Sequence, residues 1–195
     1  MKVLLLAPAD SPLLAWLEEQ GEEVVQTMEP IDGAFVDRCA PGLLVSYGYQ
    51  HILRADVLDR LPGAAINLHI SLLPWNRGSD PNVWSFLEDT PKGVTIHHLD
   101  AGVDTGDVIA QREVALGLDG TLRTTHAQLS RELEALFRDW WPAIRDGRAP
   151  RRPQPPGGLP RRRAELAALG DLLWAGWDTP VADLAGRAPH RAGGA

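Results

Sequence analysis

The chain has 195 residues, 44% of them hydrophobic and 23% charged. That length suits one domain with an appendage, and no apolar run approaches the roughly 18 residues needed to cross a bilayer, which excludes a membrane-spanning protein. The net charge of −7 is uneven: residues 1–147 hold 11 Lys or Arg against 22 Asp or Glu, a balance of −11, whereas residues 148–195 hold 8 against 4, a balance of +4, so the acidic body argues against a broad nucleic-acid surface.

Residues 2–7 form an apolar run bounded by Pro8, expected of a strand buried on both faces; with no small-residue cleavage pattern it does not read as a signal peptide. Ser11-Pro12 offers an N-cap with proline at the first helical position, and Leu13, Leu14, Trp16 and Leu17 recur at helical spacing up to Gly21. A second strand is expected at 22–27, a short helix or turn at 31–40, a buried strand at 43–46 and a short helix at 52–60. Then come a strand at 64–70, a helix at 81–88, strands at 94–99 and 108–115, and a long amphipathic helix at 121–144. Alternation of strand and helix predicts an α/β fold with a parallel sheet. The body is expected to end near Gly147, followed by a Pro/Arg-rich extension (148–195) read as a solvated arm or, alternatively, a contact for a phosphorylated substrate, with a short helix at 165–174 that could dock back on the body and disorder over 187–195. Cys39 stands alone, so neither a disulfide nor a cysteine-based zinc set is available, in keeping with a reducing cytoplasm.

Chemistry concentrates at two places. Along 66–71 strand alternation puts Asn67, His69 and Ser71 on one face and Ile66, Leu68 and Ile70 on the other. A polar face at the carboxyl end of a central strand is where a parallel sheet opens into a ligand crevice. The loop Asp100-Ala101-Gly102-Val103-Asp104-Thr105-Gly106-Asp107 adds glycines and carboxylates, with Asp104 as the partner for His69. Read alone, that loop is equally a turn, and its spacing is not that of a calcium loop. A Ser71, His69 and Asp104 hydrolase triad lacks the Gly-x-Ser-x-Gly elbow. His97-His98 are strand neighbours that point to opposite faces and do not easily share a metal, and His98 reads as structural or surface. No Gly-x-Gly-x-x-Gly follows the first strand, which argues against a nicotinamide cofactor. Of the seven tryptophans, Trp16, Trp84, Trp140 and Trp141 read as core, and Trp75 as the one placed to touch a ligand.

Taken in order, Asn67-Leu68-His69-Ile70-Ser71-Leu72-Leu73-Pro74, Arg77-Gly78, Gly93-Val94-Thr95-Ile96-His97 and Asp104-Thr105-Gly106 resemble the formyltransferases that use 10-formyltetrahydrofolate, over about residues 43–115. The form Leu72-Leu73-Pro74-Trp75-Asn76-Arg77-Gly78 with Thr90-Pro91-Lys92-Gly93 looks most like compact members, such as sugar N-formyltransferases and the formylation domains of nonribosomal peptide synthetases. The resemblance implies a Rossmann-like sheet with Asn67, His69 and Asp104 as the catalytic trio. It implies a pterin held near Gln50, His51, Ile52 and Leu53 and by Ala101, Gly102, Val103 and Asp104, largely through backbone groups. Two departures stand out: Ile70 replaces the commonest proline, and the span 21–43 is short for the usual strands and helices. The large carboxyl-terminal barrel of the transfer-RNA enzyme is missing, which argues against transfer RNA as substrate.

The expected reaction moves a formyl group from 10-formyltetrahydrofolate, with no metal and no NAD, to a primary amine on a nucleotide-linked sugar or an aminoacyl or peptide precursor. Asn67 and His69 would donate to the oxyanion of the tetrahedral intermediate, while Asp104 keeps His69 oriented and cationic and helps carry off the amine proton. Alternatives are a formyltetrahydrofolate hydrolase, with water replacing the amine, and a noncatalytic folate-binding module. The apolar faces of 121–144 and 165–177 offer surfaces on which two chains could pair as a homodimer.

Overall fold

A computed structural model describes residues 1–188. In chain order the elements are β1 (Lys2–Leu6), α1 (Pro12–Glu19), β2 (Glu23–Thr27), α2 (Gly33–Cys39), β3 (Leu43–Tyr47), α3 (Ala55–Leu58) and β4 (Ala65–His69). They continue with α4 (Pro81–Leu87), β5 (Gly93–His98), β6 (Val108–Glu113), α5 (Leu122–Arg145) and α6 (Arg163–Ala167), and 3-10 turns follow at Gly170–Leu173, Gly176–Asp178 and Val181–Asp183. The helix starts obey local capping: Ser11 Oγ accepts from Leu13 N at 3.3 Å, Asp32 Oδ1 from Phe35 N at 2.8 Å, and Thr121 and Thr124 cap α5 reciprocally.

The six strands run in the order β2-β1-β3-β4-β5-β6, which places β4 inside the sheet. β1 to β4 are parallel, as their alternation with helices predicts, but β5 pairs antiparallel with β4, and β6 with β5. The reason lies in α4. Instead of crossing back over a sheet face, it stays beyond the carboxyl end of β4, where Val83, Trp84, Phe86 and Leu87 pack against Leu122, Val181 and Leu184. The chain therefore re-enters the sheet where it left, with Thr95 of β5 opposite His69. Alternation in sequence does not tell on which side of a strand end a helix lies.

Each sheet face has its own core. Val3, Leu5, Val45, Ile66, Leu68 and Ile96 pack against Leu129, Leu133 and Phe137 of α5, with Trp16 of α1 edge-on to Phe137 and Trp141 at 6.0 and 6.1 Å. Leu4, Leu6, Leu44 and Ala65 face Val36, Val57 and Leu61 on the other side. Burying each large side chain contributes about 1.5–3 kcal/mol, so the even-numbered positions of β4, which carry apolar side chains into the α5 face, set its register and thereby fix the side to which Asn67 and His69 turn.

The extension differs from a solvated arm. Arg152 and Val108 exchange two backbone hydrogen bonds, 2.8 and 3.1 Å, so the arm docks on the edge strand β6. Gly158 lies so close that a Cβ there would meet the Pro74 carbonyl oxygen, and Arg161 pairs with Arg77 and Ser79 through backbone bonds of 2.8 and 3.0 Å. The Arg161 guanidinium is buried between Glu88 and Glu165 and lies 4.2 Å from the Trp84 ring centroid. Buried ion pairs and proline rigidity, not the charge run, decide the arm's path. Helix α6 is shorter than expected and gives way to 3-10 turns from Gly170, with Leu166, Leu169, Leu172 and Leu173 packed on the α4 cluster. Apolar residues offered above as homodimer surface are thus occupied within the chain, although Trp174 and Trp177 stay exposed. Of the segment 187–195, Arg187 and Ala188 donate backbone bonds to Leu184 and Leu87, and the remainder lies outside the described residues.

Candidate active site

Asn67 and His69 stand two residues apart on β4 and share a face. His97 of β5 is directly opposite Asn67 in the antiparallel pair, fully buried, and joins the cluster. Asp104 comes from the loop after β5, in a left-handed conformation (φ 51°). Its Oδ2 accepts from the Gly78 backbone N–H at 2.8 Å, and its Oδ1 accepts from Asn67 Nδ2 at 3.3 Å and lies 3.4 Å from His97 Nε2. His69 Nδ1 is 3.8 Å from Oδ2. Three side chains from two strands thus converge on one carboxylate.

The histidine tautomers follow from their neighbours. A carbonyl only accepts, so His69 Nε2, 3.1 Å from the Asn76 carbonyl, carries the ring proton and leaves the Nδ1 lone pair facing Asp104. His97 Nδ1 donates to the His98 carbonyl at 2.8 Å, leaving its Nε2 to accept from the Asn67 amide at 3.2 Å. The His97 ring therefore turns the Asn67 NH2 into the cluster. Asn76, itself left-handed at φ 54°, is held by a hydrogen bond from Thr90 Oγ1 at 2.7 Å and by its own donation to Glu88 at 3.3 Å.

Electrostatics sharpen the picture. Burial lowers the His69 pKa, partly countered by the Asp104 charge and reinforced by His97, so the resting ring is neutral rather than cationic as the sequence led one to expect. For Asp104, burial alone would raise the carboxyl pKa, but in the acid range where it would take a proton the charge of the flanking His69 and His97 rings, with the Gly78 N–H, outweighs burial and holds the group well below the usual carboxylate range. A neutral imidazole with a free lone pair beside a fixed carboxylate can take up a proton and keep it as a stabilised imidazolium. A side-chain amide in the same cluster can donate to an oxygen that becomes negative.

Other expected residues fall into place around this cluster. Ser71 Oγ donates to the Trp75 carbonyl at 2.8 Å, so it braces the turn and is not aimed at His69. Gln50, His51, Ile52 and Leu53 follow β3, with Tyr49 edge-on to His51 at 5.2 Å, Gln50 3.5 Å from Arg163 and Ile52 87% exposed. Leu53, and Leu99 at the base of the loop that carries Ala101, Gly102, Val103 and Asp104, pack on the same core cluster of Leu4, Leu6, Leu44 and Val57. A cavity of about 360 Å³ beside this loop is walled by Leu58, Leu61, Gly63, Leu99, Asp100 and Ala101, among others. The part of that wall supplied by α3 and the following turn had no signal in the sequence. His97 had one: Thr95 and His97 alternate on β5 as Asn67 and His69 do on β4, a second polar stripe beside the first. His98 turns away from the cluster and is buried, not at the surface. Among the described residues no group of three His, Cys, Asp or Glu side chains is arranged to hold a metal ion, and no helix is long and apolar enough to cross a membrane.

Fold and cluster together define a Rossmann-like α/β protein in which two histidines, an asparagine and an aspartate converge near the carboxyl end of β4. The chain belongs to the formyl transferase family, whose profile matches residues 4–138. It is 40% identical over 120 residues to methionyl-tRNA formyltransferase of Anaeromyxobacter dehalogenans, a match covering 60% of this chain and 38% of that protein, so the match spans about two fifths of the length of such curated relatives. It is 46% identical to the formyltransferase PseJ from Anoxybacillus kamchatkensis, solved with UDP-4,6-dideoxy-4-formamido-L-AltNAc and tetrahydrofolate, with a TM-score of 0.92 over 97% of this chain and 100% of that one. A 4-N formyltransferase from Francisella tularensis shares the fold at 22% identity, with a TM-score of 0.75 over 84% of this chain and 76% of that one.

Proposed function

We propose that this protein is an N-formyltransferase of the cytoplasm that moves a formyl group from 10-formyltetrahydrofolate to a primary amine on a nucleotide-linked amino sugar. The observation that carries the reading is the likeness, along nearly the whole chain, to PseJ, whose structure holds tetrahydrofolate and a nucleotide-linked formamido sugar. The mostly apolar cavity that reaches Ala101, at the start of the loop leading to Asp104, suits a flat heteroaromatic ring and supports the donor assignment. Residues 50–53 would form the facing bank.

In this reading the amine attacks the formyl carbon and the carbonyl oxygen becomes negative. Asn67 turns the amide N–H that rests on Asp104 Oδ1 to that oxygen while its other N–H stays on His97, and neutral His69 takes the amine proton on Nδ1. Asp104 stabilises the resulting imidazolium. As the bond from carbon to the folate nitrogen breaks, His69 returns the proton to the departing nitrogen, so the ring ends neutral and the Nε2 bond to Asn76 is kept throughout.

The test is an absorbance assay of tetrahydrofolate formation with 10-formyltetrahydrofolate and a panel of amines: a UDP-linked 4-amino-4,6-dideoxy sugar, aminoacyl and peptidyl amines, and methionyl-tRNA, with formate measured in parallel. Turnover dependent on the amino sugar supports the proposal. Turnover with methionyl-tRNA or a peptidyl amine alone overturns the acceptor, and formate release without any amine points to the hydrolase.

A further inference from the structure

We propose that Gln154, on the proline-rich arm, is a positioning residue for Asp104, so that the arm is a working part of the active site; this rests on the role given to Asp104 above. The Asp104 loop is held by two separate anchors. From within, Asp100 Oδ1 accepts from the Gly102 N–H at 3.0 Å and, past Asp104, from Thr105 Oγ1 at 2.7 Å. From the arm, the carbonyls of Asp104 and Gly106 both accept from Gln154 Nε2, at 2.9 and 2.7 Å. One amide nitrogen with two hydrogens thereby bridges two carbonyls on either side of Thr105.

That bridge bears on the carboxylate directly. Asp104 is left-handed, a conformation that a non-glycine residue keeps only when its surroundings over-determine it, and holding its carbonyl in place restrains the Cα from which the carboxylate projects. From the other side the loop is blocked: a Cβ on Gly106 would run into the His98 carbonyl, so the chain already lies flush against β5. Gln154 closes the loop from outside. The arm delivers the amide with little freedom, since Arg152 is bonded to Val108, Arg152 Nη2 donates to the Ile109 carbonyl at 3.0 Å, and Gly158 packs on Pro74. Pro153, Pro155 and Pro156 stiffen the chain on both sides of Gln154. Both acceptors are carbonyls, so the position requires a donor; a glutamate of the same shape would face oxygen with oxygen. Because Gly102 hangs on Asp100 and the cavity wall ends at Ala101, losing Gln154 misaims Asp104 while leaving that wall in place, which separates turnover from donor binding.

Full-length Gln154→Ala, Gln154→Glu and Gln154→Lys should be compared with wild type by steady-state kinetics and by amide hydrogen exchange at Gly78, which donates to Asp104 Oδ2, and at Gly102, which donates to Asp100. The alanine variant is expected to lose about 10- to 100-fold in kcat, with the donor KM within about twofold, the scale of a misplacement of order 1 Å. Glutamate should do no better, and lysine, which restores a donor, should recover most of the loss. Gly78 should exchange faster in the alanine and glutamate variants, with Gly102 unchanged. A kcat within about twofold of wild type, a parallel change in kcat and donor KM, or unchanged Gly78 exchange would overturn the proposal. The exchange experiment needs no turnover: a wild type inactive on every amine would overturn the proposed function, whereas the Gly78 result still decides whether Gln154 aims Asp104.

Discussion

The two banks of the crevice are built on opposite terms. On the β4–β5 side, His69 and His97 are buried, Asp104 is largely covered, and all three are held by a hydrogen-bond set that extends through Asn76 to Glu88 and Thr90. On the loop side, Ile52 is 87% exposed and Val103 49% exposed. Groups that must meet a developing charge gain from being fixed before the ligand arrives, because no reorganisation is then required during reaction. Groups that only cover a ligand lose little by waiting for it, and their exposed apolar surface is stabilised on contact.

If this contrast is right, substitutions on the two banks should separate kcat from KM. The largest effect is expected for His69→Ala, a kcat loss of about 10³-fold or more, within the range for a general acid–base group that also handles the leaving nitrogen; near-normal turnover in single-turnover assays would break the contrast outright. Asn67→Ala should follow at about 10²- to 10³-fold in kcat, as for one oxyanion donor. Asp104→Asn keeps the shape but removes the charge that stabilises the imidazolium, and should lower kcat by about 10²-fold while changing folate affinity by less than about threefold, read by titration calorimetry. On the other bank, Ile52→Ser is expected to raise the donor KM about three- to tenfold through lost apolar contact, with kcat unchanged; a kcat effect there would mean that the loop also aligns the reacting atoms.

The smallest effect concerns pH and sharpens the description of the buried side. Burial depresses the folded-state pKa of His69, so between that value and the unfolded value of about 6.5 the unfolded chain binds the extra proton and stability falls as pH drops below about 6.5. His98 and His126, also lowered by burial, act in the same direction. Asp104 acts in a lower window: its depressed pKa adds stability above about pH 4, lost as pH falls further. The Tm should therefore decline from pH 7.5 to 5.5, and His69→Gln should remove about 2–4 °C of that decline in thermal melts, leaving the share due to the other two histidines.

Much of the architecture is written in local patterns. Ser11-Pro12, Asp32 and Thr121 mark helix starts because their side chains or ring act on the next few residues alone. The alternation of Asn67, Leu68, His69 and Ile70 separates a polar face from an apolar one because strand geometry has a period of two. Asp104, 35 residues from His69, could be matched to it only by residue type, a carboxylate for an imidazole, and by the resemblance, since no local rule joins a loop to a strand that far away. Long-range partners had no such signal. The resting charge of His69 depends on burial by elements scattered along the chain, its tautomer on the carbonyl of Asn76, and the antiparallel return of β5 on where α4 comes to lie.

The arm shows the division most plainly. The sequence by itself determined that residues 150–160 are neither helix nor central strand, because proline lacks the N–H and the torsional freedom that either requires. Where that stiff segment runs was decided only in three dimensions, by an open edge at Val108, a guanidinium pocket formed by Glu88, Glu165 and Trp84, and two carbonyls near Asp104 lacking a donor until Gln154 arrives. Short-range sterics act between neighbours and can be read in order along a chain; hydrogen-bond complementarity and burial act between surfaces that do not exist until the chain has folded.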